Sequence, residues 1–269
     1  MHTLGNDFVI LDGPLAIKKA RIAALAHRHT GIGFDQLIVI EPSYSSITLS
    51  VQWDCVVVKI FNADGTQAEQ CCNALISVAR YLAERKTATN ELILTTIGGQ
   101  ARAEVIRSNF PVSRIMLRLP STNVERPVEA SVNGRTIQIH KIDMGNPHAI
   151  VWGRAELSVY EQLECSREIV EQKDEMGVSL FPQGANVAFV RALDRRTVIS
   201  RVVERGVGKT FACGSSACAT VVSGCALGAL DPAGVRVCFE LGHLELKLTS
   251  NEVEFSGQAS FVFDGSFVI

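Results

Sequence analysis

Apolar and polar residues along this chain alternate mostly with the two-residue period of strands, over residues 47–51, 56–61, 114–119, 187–190, 236–240, 244–248 and 260–263. Asn133-Gly134, between Ala130-Ser131-Val132 and Thr136-Ile137-Gln138-Ile139, predicts a tight hairpin, because both residues tolerate the positive φ of such a turn. Helical spacing is clearest over residues 15–29, 73–85, 160–172 and 216–230. Few helices among many hairpin-linked strands predict an α+β chain, with sheet wrapped on a helix in each half.

The halves are related. Asn62-Ala63-Asp64-Gly65 runs on to Gln70-Cys71-Cys72-Asn73 and then to a helix pattern; Glu204-Arg205-Gly206 runs on to Ala212-Cys213-Gly214-Ser215 and then to another. In both copies nine positions separate the polar residue, Asn62 or Glu204, from the cysteine. Leu4-Gly5-Asn6 recurs as Met144-Gly145-Asn146, and Gly33-Phe34-Asp35-Gln36 as Gly184-Ala185-Asn186, all in order and at offsets of 140 to 150 residues. Two domains of one ancestry account for this self-similarity, with boundaries expected at 1–120, rejoined by 260–269, and at 121–259.

Composition narrows the function. The chain has 269 residues, 47% hydrophobic and 20% charged, enough for a sizeable core. A formal net charge of -2, without clustered Lys or Arg, disfavours a nucleic-acid partner. No apolar run is long enough to span a bilayer, and the first residues lack the charged and apolar regions of a signal peptide, so the expectation is a cytoplasmic protein with no membrane partner. Eight cysteines at 55, 71, 72, 165, 213, 218, 225 and 238 form no C-x-x-C pair, which argues against a zinc site or a secreted disulfide framework.

Taken alone, a cysteine is more often a small buried hydrophobe than a reactive group. The repeat reverses that preference for Cys71 and Cys213. Each precedes its helix, where unpaired N–H groups and the positive end of the helix dipole favour a thiolate and also cradle a carboxylate. Inverting an amino-acid α-carbon needs a base on one face and an acid on the other, and two pseudo-symmetric cysteines supply both. Amides converging on the carboxylate then stabilise enediolate charge as it develops.

At these residues the chain resembles the diaminopimelate epimerases over nearly its whole length. The matching stretches are Leu4-Gly5-Asn6-Asp7-Phe8, Gly31-Ile32-Gly33-Phe34-Asp35-Gln36, Phe61-Asn62-Ala63-Asp64-Gly65, Met144-Gly145-Asn146-Pro147-His148, Asn186, Glu204-Arg205-Gly206 and Ala212-Cys213-Gly214-Ser215. The resemblance implies two similar domains, each a mostly antiparallel sheet on a central helix, with the active site in the cleft between them and a last strand near 260–269 returning to the first. It implies Cys71 and Cys213 as the acid/base pair, tuned by His148 and Glu204. Backbone at Cys72, Asn73, Gly214 and Ser215 would hold the reacting carboxylate. Asn6, Gln36, Asn62, Asn146, Asn186 and Arg205, with Glu204, would read the substrate's other polar ends.

Epimerisation of LL-2,6-diaminopimelate to the meso form, for lysine and peptidoglycan precursors, is the activity implied, with a small-molecule amino acid as substrate. No pyridoxal phosphate, other cofactor or metal is implied, and a homodimer is compatible with the reading. Departures from the family pattern are Cys72, Ser216, His243 and Thr3 where glycines are usual, Ile76 for an arginine and Ser77 for a cysteine. The alternatives are a related racemase acting on another amino acid, or a non-catalytic or thiol-redox member of the fold using Cys71, Cys72 and Cys213.

Overall fold

The computed structural model describes residues 1–44, 51–86, 90–106 and 114–267. Its contacts divide the chain into two compact units, Met1–Leu119 with Ser256–Ile269, and Pro120–Phe255. The first unit holds β1 (His2–Thr3), β2 (Asn6–Asp12), α1 (Lys19–Ala26), β3 (Gln36–Tyr44), β4 (Val51–Asn62), β5 (Gln67–Ala68), α2 (Cys72–Arg85), β6 (Glu91–Thr96), β7 (Gly99–Ile106) and β8 (Arg114–Pro120), which ends at the boundary. The second holds β9 (Val128–Val132), β10 (Arg135–Asp143), β11 (Pro147–Trp152), α3 (Val159–Val170), β12 (Asn186–Asp194), β13 (Thr197–Glu204), β14 (Gly208–Thr210), α4 (Gly214–Ala226), β15 (Val235–Phe239) and β16 (Gly242–Leu248). β17 (Glu252–Gln258) carries the chain back into the first. No helix among the described residues is long and apolar enough to cross a membrane.

This is the α+β architecture expected, and the repeat is visible in strand pairing. In the first unit β2 runs parallel to β3, starting at Phe8 with Gln36, while β4 is antiparallel to β3 and β5 and parallel to β6. In the second β11 runs parallel to β12, starting at His148 with Asn186, while β13 is antiparallel to β12 and β14 and parallel to β15. β6–β7 and β15–β16 are the matching antiparallel hairpins. The predicted Asn133-Gly134 hairpin forms, with φ of 50° and 68° at those residues and Val132 opposite Arg135.

Each sheet encloses one helix on all sides. In α2 every residue from 72 to 80 is buried, and in α4 every residue from 214 to 224. A helix enclosed all round needs apolar or small residues on every face, and the sequences comply differently. α2 uses Leu75, Ile76, Val78 and Leu82, each with no exposed surface and worth about 1.5–3 kcal/mol when buried. α4 uses small residues that let the sheet approach closely: a Cβ on Gly224 would lie 2.4 Å from Leu230 Cδ1 and 2.8 Å from Trp152 Cη2. Ser223 Oγ accepts the Trp152 indole N–H at 3.0 Å, satisfying a donor that the packing encloses.

The structure corrects several boundaries. α1 occupies only Lys19–Ala26, not residues 15–29; His27 leaves the helix in an extended conformation, and its Nδ1 accepts the Thr30 backbone N–H at 3.2 Å, turning the chain. α3 begins earlier than predicted because Ser158 and Glu161 form a capping box. α4 ends at Ala226, where Gly228 turns back with φ of 69° and donates its N–H to Cys225. No strand forms over residues 260–263: Ser260 alone bridges His2, and Phe261 instead lies under the guanidinium groups of Arg80 and Arg85 at 5.2 and 5.1 Å. Buried Arg80 also donates to the Ala259 carbonyl, which holds this segment on α2, while its charge is paired within the helix by Glu84 at 2.8 Å. The predicted strand at residues 47–51 lies, apart from Val51, outside the described residues.

Candidate active site

In each unit a two-strand ribbon, β4–β5 or β13–β14, delivers a cysteine to the start of the enclosed helix. Cys71 is the N-cap of α2 with φ -150° and ψ 107°; Cys213 is the N-cap of α4 with φ -135° and ψ 115°. Each cysteine's carbonyl accepts the first helical hydrogen bond, from Leu75 and Ala217 respectively, both at 3.0 Å. Neither cysteine side chain caps its helix. Residues 72–75 and 214–217 include no carboxylate, so the positive helix ends are not neutralised by their own first turns. Cys71 and Cys213 are buried, as are Cys72, Asn73, Gly214 and Ser215. Such a start suits a thiolate beside a ring of amides.

The remaining predicted residues make separate bonded sets within each unit. In the first, Asn6 leaves the β1–β2 hairpin, whose two turn residues Leu4 and Gly5 both hold positive φ, 50° and 81°. For leucine this is a strained setting, of the kind that persists where surrounding structure demands it. It sets Asn6 with its Oδ1 3.8 Å from Cys71 Sγ, accepting the thiol, and its Nδ2 donating to Asp35 Oδ2 at 2.9 Å. Gln36 and Asn62 face each other across β3 and β4, Gln36 Nε2 donating to Asn62 Oδ1 at 3.0 Å. Gln36 Oε1 is buried and accepts no hydrogen bond from the described residues.

In the second unit Asn146 and His148 are joined at 2.9 Å through Oδ1 and Nε2. His148 has no exposed surface; burial, then the positive charge of Arg205, pulls its pKa from 6.5 down to about 3. The ring is therefore neutral, with its proton on Nε2 and Nδ1 a bare acceptor that meets no donor among the described residues. Asn186 Oδ1 accepts the backbone N–H of Arg205 at 2.9 Å. The Arg205 Nη1 donates to the Gln183 carbonyl at 3.0 Å, which points the guanidinium along Gly184, whose Cβ would sit 3.1 Å from Arg205 Cδ. Glu204 accepts the Thr210 hydroxyl at 2.5 Å, and Cys213 Sγ lies 3.5 Å from Ser215 Oγ.

Sequence reasoning assigned no role to Asp35 and Arg28, though Asp35 stands beside Gln36 and touches Asn6 directly; an acidic residue between two motif positions was the available signal. Thr210 was missed also, and only its pairing across β13–β14 reveals it.

The buried His148 makes a prediction about acid stability. The unfolded chain takes up the His148 proton near pH 6.5 and the folded protein only near pH 3, so the unfolded state binds more protons between these values. Its stabilising contribution is complete above pH 6.5 and is lost as pH falls toward 3, at roughly 1.4 kcal/mol per pH unit. Burial lowers His140 also, and it adds to the same slope. Urea unfolding of wild type and His148→Gln between pH 7 and 4 should give a shallower decline in the variant; identical slopes would contradict the buried neutral ring.

Comparison with known proteins adds to this geometry. The family model described as "Diaminopimelate epimerase" matches residues 1–116 and 141–262. The chain is 34% identical over 285 residues to the diaminopimelate epimerase of Psychrobacter arcticus, covering 99% of this chain and 92% of that protein. To that of Nitrosomonas europaea it is 32% identical, covering 99% and 96%. Among solved structures, a probable proline racemase from Agrobacterium radiobacter superposes with a TM-score of 0.73 at 15% identity, covering 98% of this chain and 92% of that one. A hydroxyproline epimerase from Agrobacterium vitis does so with 0.73 at 14%, covering 97% and 89%. At such identities these two likenesses describe the fold.

Proposed function

Since the chain belongs to the diaminopimelate epimerase family, we propose that it interconverts LL-2,6-diaminopimelate and meso-diaminopimelate by a cofactor-independent, two-base mechanism. The protein is an isomerase acting on a small-molecule amino acid, within the supply of lysine and peptidoglycan precursors. The observation that carries the mechanism is the matched pair of buried cysteines, each capping a buried helix with nearly the same backbone geometry.

In the forward step the thiolate of one cysteine removes the α-hydrogen as a proton, and the electron pair of the C–H bond passes into the carboxylate as an enediolate. The first-turn amides of Cys72, Asn73, Gly214 and Ser215 stabilise that charge where it develops. The thiol of the other cysteine returns a proton to the opposite face, leaving thiol and thiolate exchanged until solvent resets them. This requires Cys71 and Cys213 to flank one carbon.

Gln36 Oε1, a buried acceptor awaiting a donor, suits a substrate ammonium. Arg205 suits the distal carboxylate through its planar fork, and Asn6, Asn62, Asn146 and Asn186 complete the polar recognition. His148 and Glu204 set the proton affinity around the cysteines, His148 as a neutral group. The absence of basic excess supports a protein that works without nucleic acid, and we assign it to the cytoplasm.

The test is incorporation of solvent deuterium at the α-carbon across LL- and meso-diaminopimelate, lysine, glutamate and proline, followed by NMR. Exchange confined to the diaminopimelates is the expected result. Silence with both, together with exchange of another amino acid, would replace this substrate by that one.

A further inference from the structure

The turn that presents Asn6 contains a leucine at positive φ, a setting that persists only where the surroundings hold it. Leu4 and Gly5 alone join β1 to β2, so Thr3 lies directly opposite Asn6. Residues opposite each other in an antiparallel pair share a face, and whatever fixes the Thr3 side chain therefore fixes the immediate neighbour of the Asn6 side chain. Asn6 itself is held on its outer side by Asp35 at 2.9 Å.

Thr3 Oγ1 lies 3.0 Å from Ser77 Oγ, and neither residue has any exposed surface. Each hydroxyl can donate and accept, so the pair is satisfied whichever gives the hydrogen. Ser77 belongs to α2, the helix that Cys71 caps. Arg80, three residues further on and on the same face of α2, fixes the Ala259 carbonyl, and Ser260 then exchanges two backbone hydrogen bonds with His2, at 3.0 and 2.8 Å. The hairpin is thus tied to α2 twice, through residues 259–260 at His2 and directly at Thr3. Only the second tie reaches the residue that faces Asn6.

Both positions are departures from the family pattern, Thr3 from glycine and Ser77 from cysteine. A glycine has no side chain to offer, so the bond belongs to this chain's own pair of residues. Either hydroxyl alone would be buried without a partner, which is costly, and this couples the two departures.

We propose that Thr3 and Ser77 are positioning residues: their buried hydrogen bond seats the β1–β2 hairpin on α2 and so sets Asn6 against Cys71, where Asn6 Oδ1 and Cys71 Sγ stand 3.8 Å apart. The proposal rests on the reading of Asn6 and Cys71 as site residues. It does not depend on which amino acid is turned over.

The experiment measures kcat/KM, on the amino acid that wild type inverts, beside urea unfolding. Thr3→Val and Ser77→Ala each strand one buried hydroxyl and should lower both stability and kcat/KM. The double variant strands none, so its urea midpoint should return most of the way to wild type while kcat/KM stays about 10- to 100-fold down, the scale of a site group displaced by roughly an ångström. Thr3→Ser keeps the hydroxyl and should keep the wild-type kcat/KM. Built into Asn6→Ala, the same double change should cost nothing further, because the group it positions is gone. If either single variant fails to fold, the double variant carries the test. Recovery of kcat/KM together with stability in the double variant, or an equal penalty with and without the Asn6 side chain, overturns the proposal. Full turnover by Asn6→Ala alone would withdraw Asn6 from the site, and the proposal falls with it.

Discussion

Cys71→Ala and Cys213→Ala should each slow inversion at the α-carbon by at least ~10³-fold while leaving a folded protein that still exchanges the α-hydrogen of one stereoisomer with solvent. The magnitude follows from removing a general acid or base, commonly worth 10²–10⁴. Loss of an essential partner from a unit of two leaves little of the whole. Exchange survives because the remaining cysteine can take a proton from its own face, trade it with water and return it to the same face. That path gives deuterium without inversion.

The two variants should therefore exchange opposite stereoisomers, which separates a two-base site from a single base that swings between faces. A one-base enzyme would lose exchange of both isomers in one variant and keep inversion in the other. Folding should tolerate either change, since each removes one sulfur from a helix cap whose side chain makes no capping bond, at a cost of about 1 kcal/mol. NMR of the α-carbon in D₂O reads both quantities at once. Full inversion by either variant would remove that cysteine from the mechanism.

Local chemistry made much of the fold legible. The Asn133-Gly134 hairpin, the strands around β12 and β15, and the cores of α2 and α4 follow from period and turn residues that act over a few positions. One miss arose where a distant partner decided the outcome. Residues 260–263 are apolar enough for a strand, but Phe261 is taken by Arg80 and Arg85, about 180 positions away in sequence. The Ser158-x-x-Glu161 box was readable and sets the start of α3. At the site, the repeat pointed to cysteines in matching settings, yet equivalent asparagines proved to have different duties: Asn6 is bonded to Asp35 and faces Cys71, while Asn146 is bonded to His148. No pattern along the chain distinguishes them, because the distinction lies in side-chain bonds spanning 29 residues in one case and two in the other.

Arg205→Met should lower kcat/KM for diaminopimelate by roughly 10²–10³-fold, mostly through KM, and Arg205→Lys should recover only part of the loss. Each hydrogen bond to a charged group contributes about 1.5–3 kcal/mol, and a guanidinium can offer a carboxylate two in parallel where an ammonium acts as a point charge. The backbone bond from Arg205 to Asn186 does not depend on the side chain and should survive both changes, so the effect isolates the guanidinium. Two further readings make the test specific. A substrate analogue with the distal carboxylate replaced by hydrogen should be turned over equally poorly by wild type and Arg205→Met, since both lack the same contact. The His148 ring, depressed in part by the positive charge of Arg205, should titrate higher in Arg205→Met by NMR. An undiminished kcat/KM in Arg205→Met would assign recognition of the distal end elsewhere, and equal losses for substrate and analogue would make Arg205 a structural prop for Gln183 and Gly184 instead.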